Sequence, residues 1–95
     1  MTAATFKPDD DLTFKTVVDL RAKLFKALST NTEARFCLDL SKVAHCDSAG
    51  LALLIEARKL CTQKNKKLEI VGISPKTQSL AEFYGVKTIL ELNVE

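Results

Sequence analysis

Short apolar runs alternate along the chain with longer segments whose apolar residues recur at helical spacing. Residues 5–8 read as a short strand, and because Pro8 cannot donate to a ladder that strand belongs at a sheet edge or ends there. "DDDL", 9–12, reads as a turn. Over 14–28, Val17, Leu20, Leu24 and Leu28 line one side of a helix, with Val18 and Phe25 beside them and Asp19, Lys23 and Lys26 opposite. The polar "STNTEA" ends it, and "RFCLDL", 35–40, is a short apolar run suited to a central, buried strand.

Asp47 and Ser48 are both good N-cap residues, and a helix is expected from there to about 63. "NKK" turns the chain, and "LEIVGI", 68–73, is a second buried strand. Ser74 followed by Pro75 starts another helix, which carries Leu80, Ala81, Phe83 and Tyr84 and stops at Gly85, a natural C′ residue. "VKTIL", 86–90, is expected to close as a strand, with "ELNVE" as a frayed or helical tail. The order β-α-β-α-β-α-β argues for an α/β fold: a small, mostly parallel sheet of about four strands with helices packed on it, joined by right-handed crossovers. The chain reads as one domain, too small for two cores.

The helix beginning near Ser48 has an unusual apolar pattern. Counted from Ala49 at about 100° per residue, Leu53, Ala57 and Leu60 fall near Ala49 and define a core face, while Arg58 and Thr62 mark the solvent side. Leu51 and Ile55 then lie on the polar side. An exposed apolar pair one and two turns along from Ser48 reads as a docking surface.

Charge and composition narrow the chemistry. A net charge of +2 gives no electrostatic support for nucleic-acid binding, and the one basic cluster, Lys64, Lys66 and Lys67, reads as a solvated turn. No apolar run reaches membrane-spanning length, and "MTAATFKPDDD" lacks the basic start and apolar core of a secretory signal. Cys37, Cys46 and Cys61 are odd in number and form no C-x-x-C pair, which fits free thiols in a reducing compartment and offers no metal-ligand spacing.

"HCDS", 45–48, crowds four chemistry-bearing residues together. His45 and Cys46 are neighbours in sequence and point apart in extended chain, and Ser48 has no second histidine to act as a base. Gly50, Gly72 and Gly85 are too scattered for a phosphate loop, and Asp9–Asp11 are a turn of like charges. No catalytic residue, metal or cofactor is expected. Three readings of Ser48 stay open: a helix cap, a hydroxyl that can be phosphorylated at a positive helix end, and an uncharged contact at a protein interface.

"LDLSKVAHCDSAGLALLIEA", 38–57, resembles the signature of the STAS domain family (sulfate transporter and anti-sigma-factor antagonist): an apolar strand ending in D-L-S, a short loop, then D-S/T-A/S-G-L opening a helix. "DLTFKTVVDLRAKL", "KKLEIVGISPKTQSLAEF" and "FYGVKTIL" resemble the family's first helix, the next strand and helix, and the final strand, so the likeness runs from about 6 to 92. "LTFKTV" and "SLAEFYGVKTIL" are most similar to the stand-alone STAS subunits of Mla-type phospholipid-transport systems. The resemblance implies a non-enzymatic cytoplasmic subunit, held at the inner membrane through the ATPase of an ABC transporter. It implies that Ser48 lies at a docking surface, and with the Leu51–Ile55 pair and the flanking Asp47, Ala49, Gly50 and His45 this makes the expected partner surface. The family's other branch, anti-sigma-factor antagonists, implies Ser48 as a phosphoacceptor for a serine-kinase partner. STAS domains usually begin with two strands, and this chain reads as having one before its first helix, so a shortened first sheet edge is expected. The exposed Leu51–Ile55 pair further implies that the isolated chain forms a homodimer or aggregates.

Overall fold

The computed structural model describes residues 4–90. β1 (Ala4–Phe6), β2 (Arg35–Asp39) and β3 (Lys67–Val71) form a three-stranded parallel sheet in the order β1-β2-β3. Thr5 pairs with Cys37, and Cys37 in turn with Glu69. α1 (Val17–Thr30) and α2 (Ser48–Gln63) provide the two crossovers and pack on each other. α3 (Pro75–Phe83) and α4 (Lys87–Leu90) follow β3, and α4 packs on α2 and α3.

One core joins the layers. Phe36, Leu38 and Leu68 from the sheet meet Leu20, Leu24 and Leu28 of α1 and Leu53, Leu54, Ala57 and Cys61 of α2, all buried. The strands alternate: Phe36 and Leu38 are buried while Arg35 is exposed and Cys37 and Asp39 are half-buried. "RFCLDL" is therefore a strand covered on one face, with charged and polar residues on the other, rather than a strand buried on both.

The expected fourth strand is a helical turn. In 86–90 the inward residues are Val86 and Leu90, four apart, with Thr88 and Ile89 exposed. That spacing is helical, and a run of five apolar-rich residues does not distinguish the two periods on its own. The tail "ELNVE" lies outside the described residues. Phe14 and Val18, read with the first helix, are 68% and 76% exposed, because α1 starts only at Val17 and turns Val18 outward.

Candidate functional site

The first turn of α2 is built around one carboxylate. Asp47, not Ser48, is the N-cap: its Oδ1 accepts the Gly50 N–H at 3.1 Å, and its Oδ2 accepts the Phe14 N–H at 3.0 Å. The same side chain thus holds the loop before α1 against the start of α2. The backbone repeats the tie: Leu12 N–H donates to the His45 carbonyl at 2.9 Å and Asp47 N–H to the Leu12 carbonyl at 3.1 Å. Asp11 Oδ1 accepts the His45 N–H at 3.2 Å. The "DDDL" segment is more than a turn, since Leu12 pairs with Cys46 as an isolated parallel bridge.

Partial burial raises the Asp47 carboxyl, but donation from the N–H groups of Phe14, Gly50 and Ala49 and from its own outweighs this and holds it below the ordinary aspartate value. A depressed folded-state value stabilises the fold above the unfolded value, and that stabilisation is lost as pH falls through the folded one. Asparagine can keep the cap bond to Gly50 but has no second oxygen for the Phe14 N–H, so Asp47→Asn is expected to lower stability near neutral pH by about 1 kcal/mol and to flatten the decline on acidification. Urea midpoints measured at neutral pH and near pH 3 check both.

With Asp47 as cap, Ser48 is the first helical residue. It is exposed, and its hydroxyl bonds to no described residue. The cap reading of Ser48 is thereby replaced. Beside it, Cys46 is half-buried, and burial first and then the Asp47 charge push its thiol up to about 11, against a hydrogen bond with Thr77. The thiol is protonated at neutral pH, and His45 is exposed on the loop. Neither is arranged to activate the other or Ser48.

Leu51 corrects the expected surface. It is 3% exposed, and Ile55 is half-buried against the core. The pair is not an outward patch, because α4 and the α3–α4 turn cover that side of α2. Gly50 is buried as well. The close approach it permits is internal: a Cβ there would lie 2.1 Å from the Leu12 carbonyl oxygen and 2.8 Å from Cys46 Sγ.

The outward ridge of α2 is Ser48, Ala52 and Glu56, with half-buried Ala49 beside it and an apolar hollow on each side. One is lined by Ser48, Leu51, Ala52, Ile55, Tyr84 and Val86. The other is lined by Ala49, Ala52 and Leu53 of α2, with Val17, Val18 and Arg21 of α1, and Glu56 closes its end. Arg21 Nε donates to Glu56 Oε1 at 3.2 Å and its guanidinium stacks on Phe25, which fixes the wall between the helices.

Tyr84 and Val86 reach the first hollow through a helix-ending motif. Gly85, at φ +71°, occupies the C′ position expected of it. Gly85 N–H donates to the Glu82 carbonyl and Val86 N–H to the Ala81 carbonyl, the two bonds of a Schellman turn. Val86 folds in and Tyr84 stays 52% exposed, edge-on to Phe83. Tyr84, Phe14 and Val18 are surface residues that the sequence pattern alone had placed in helices, and Ala52 is an exposed residue that it did not single out. The signal available for Tyr84 was Gly85, which makes Tyr84 the residue at which the chain leaves the helix.

A family model described as "Mlab, STAS domain" matches residues 9–91. The anti-sigma-B factor antagonist of Staphylococcus aureus (strain NCTC 8325 / PS 47) is 34% identical over 56 residues, which are 59% of this chain and 52% of that protein. The intermembrane phospholipid transport system binding protein MlaB of Escherichia coli (strain K12) is 34% identical over 50 residues, 53% of this chain and 52% of that protein. The matched part of the chain spans about half the length of these relatives. Among solved structures, a sulfate transporter family protein from Wolinella succinogenes superposes with a TM-score of 0.76 at 19% identity, over 93% of this chain and 70% of that one. The anti-sigma factor antagonist SpoIIAA in its unphosphorylated form superposes with a TM-score of 0.65 at 18% identity, over 87% and 77%. These likenesses show the fold.

Proposed function

The chain belongs to the STAS domain family, and from that premise we propose that it is a non-enzymatic regulatory subunit that docks on the ATPase of an Mla-type phospholipid-transporting ABC complex. The observation that carries this reading is the ridge of α2: an exposed Ser48 hydroxyl left unused by the cap, flanked by two apolar hollows and the exposed rings of Phe14 and Tyr84. A partner buries the hollows and hydrogen-bonds the hydroxyl. Ser48, Ala49, Ala52, Tyr84 and the exposed rim of Ile55 make the contact, and His45 borders it. Asp47, Gly50 and Leu51 act from beneath, holding the ridge in place. Binding the assembled ATPase better than the free one stabilises assembly by linkage, with no chemistry at the surface. The complex places the subunit in the cytoplasm at the inner membrane.

A second reading has its own support. Ser48 stands at the first position of a sixteen-residue helix, where an added phosphate is favoured by the dipole and sterically free. This suits an anti-sigma-factor antagonist switched by phosphorylation. Affinity capture of the tagged chain from its own cells, read by mass spectrometry, separates the two. Recovery of an ABC ATPase with its permease supports docking on the transporter. Recovery of a serine-kinase-like anti-sigma factor, with Ser48 phosphorylated in part of the captured chain, replaces that reading with the second.

A further inference from the structure

Taken alone, Lys64, Lys66 and Lys67 read as a solvated turn, but the topology gathers more charge around them. In a parallel sheet every crossover returns the chain to the same end, so the ends of α1 and α2 and the starts of β2 and β3 converge there. Lys26 lies within the last turns of α1 and Lys59 within those of α2. Arg35 opens β2 and Lys67 opens β3, as direct register partners. Lys64 and Lys66 lie in the turn between α2 and β3. Glu33 and Glu69 are the carboxylates among the described residues at this end, and neither forms an ion pair with a described residue.

Ordinary structural work accounts for only part of this cluster. Lys66 is anchored: its Nζ donates to the carbonyls of Asn31 at 2.7 Å and Glu33 at 2.6 Å. Lys26, Arg35, Lys59, Lys64 and Lys67 are exposed, and none pairs with a described carboxylate. Neither α1 nor α2 carries a base in its last turn, so these cations are not there chiefly to complement helix dipoles. Arg35 beside Lys67 sets like charges directly opposite on adjacent strands, an arrangement that opposes pairing. The opposite end of the molecule carries Asp9, Asp10, Asp11, Asp39 and Asp47 against Lys7, Lys15, Lys42 and Lys76, so it has no matching excess of cations. The small net charge of +2 therefore conceals a polarised distribution.

The geometry points to this basic end as a binding surface for an anionic phospholipid bilayer. The cations are mostly lysines on long stems, with one arginine among them, and come from four separate segments. Such a set matches a broad, diffuse negative surface. An acidic peptide is better held by a groove or by arginine forks, and a single nucleic-acid strand by aromatic rings among the cations. None of the exposed large apolar residues, Phe14, Val18, Phe83, Tyr84 and Ile89, belongs to these segments. The surface lies at the far end of α2 from Ser48, so membrane and protein partner can be held together. The inference does not depend on which partner occupies the Ser48 ridge.

Sedimentation of the full chain with vesicles tests it. Vesicles of phosphatidylglycerol and phosphatidylethanolamine are expected to capture the chain, vesicles of phosphatidylcholine alone are not, and added salt is expected to release it. The triple variant Arg35→Gln, Lys64→Gln, Lys67→Gln is expected to weaken capture on the order of a hundredfold, at about fivefold per cation. All three side chains are exposed, so the variant is expected to fold, which its circular dichroism spectrum checks. A second triple variant, Lys7→Gln, Lys15→Gln, Lys76→Gln, removes the same charge away from this end and is expected to leave capture within a few-fold. Equal loss in both variants, or no capture by the anionic vesicles at low salt, overturns the proposal. So does tighter retention on single-stranded DNA or polyglutamate than on the vesicles, which assigns the surface to a different polyanion.

Discussion

Gly50→Ala is expected to lower the unfolding free energy by about 3 kcal/mol, although the same change inside an exposed helix ordinarily raises it by about 1 kcal/mol. The sign reverses because of what the methyl group meets. It would stand 2.1 Å from the Leu12 carbonyl oxygen and 2.9 Å from its carbon, and both are backbone. Leu12 cannot step aside cheaply: its N–H is committed to His45, its carbonyl accepts from Asp47, and its side chain is 2% exposed in the core. Relief requires α2 to move away from the loop before α1, which breaks the Asp47 ties to Phe14 and Leu12 together. Gly85→Ala is a useful contrast. Nothing lies within 4 Å of its added methyl, and the penalty is the left-handed backbone at φ +71° alone, about 1 kcal/mol. Urea titrations followed by circular dichroism measure both. A Gly50→Ala protein as stable as the parent would show that the Leu12 carbonyl does not press on α2.

The position of Gly50 in "DSAGL" was legible in the sequence, but its purpose was not. A glycine three residues into a helix beside a capping aspartate suggests close approach, and which backbone approaches is a long-range fact. Leu12 and Gly50 are 38 positions apart in the chain and are brought together by the bridge between Leu12 and Cys46. The elements fixed by local signals came through: Ser74 caps α3 by accepting the Thr77 N–H, Pro75 opens it, and Gly85 closes it. The failed strand at 86–90 had no such signal, only five residues with no cap, glycine or partner to set their period.

The misplaced face of α2 has a more specific cause. Counting the wheel from Ala49 took a half-buried alanine at the margin of the helix as the middle of the core side. By the same angular count Leu54 and Cys61, both fully buried, fall near 140° and 120°. With them the buried arc centres near 110°, Leu51 joins its margin, and the exposed ridge of Ser48, Ala52 and Glu56 falls near 300°. An alanine is uninformative about side because it is at home on either. Leucines and a buried cysteine carry the phase. The arc is also wide, because α2 is flanked by α1 on one side and by α4 on the other as well as by the sheet. A single-face wheel suits a helix with one neighbour, whereas α2 has three.

That correction determines which substitutions probe the docking ridge. Leu51→Ala would hollow the core and report on folding, so it cannot test a contact. Ser48 and Tyr84 can. Ser48→Asp is expected to leave stability within about 0.5 kcal/mol, since the side chain is exposed and the helix dipole offsets repulsion from Asp47. It is nevertheless expected to abolish partner capture, because a carboxylate pressed between apolar walls loses its water without gaining a counter-charge. Tyr84→Ala is expected to cut capture by thirtyfold or about 2 kcal/mol, the scale of a truncated aromatic anchor, with the Schellman turn kept intact by Gly85. Ser48→Thr keeps the hydroxyl and is expected to retain binding. Thermal melts of the four proteins, read beside the amount of partner retained on the tagged chain, separate folding from contact. Loss of binding in Ser48→Asp together with full, unregulated binding in Ser48→Ala would mean that the hydroxyl serves as a phosphate acceptor rather than a contact. Full retention by both Ser48→Asp and Tyr84→Ala would remove the ridge as the docking surface, leaving the second hollow, between Val18 and Ala49, as the face to test.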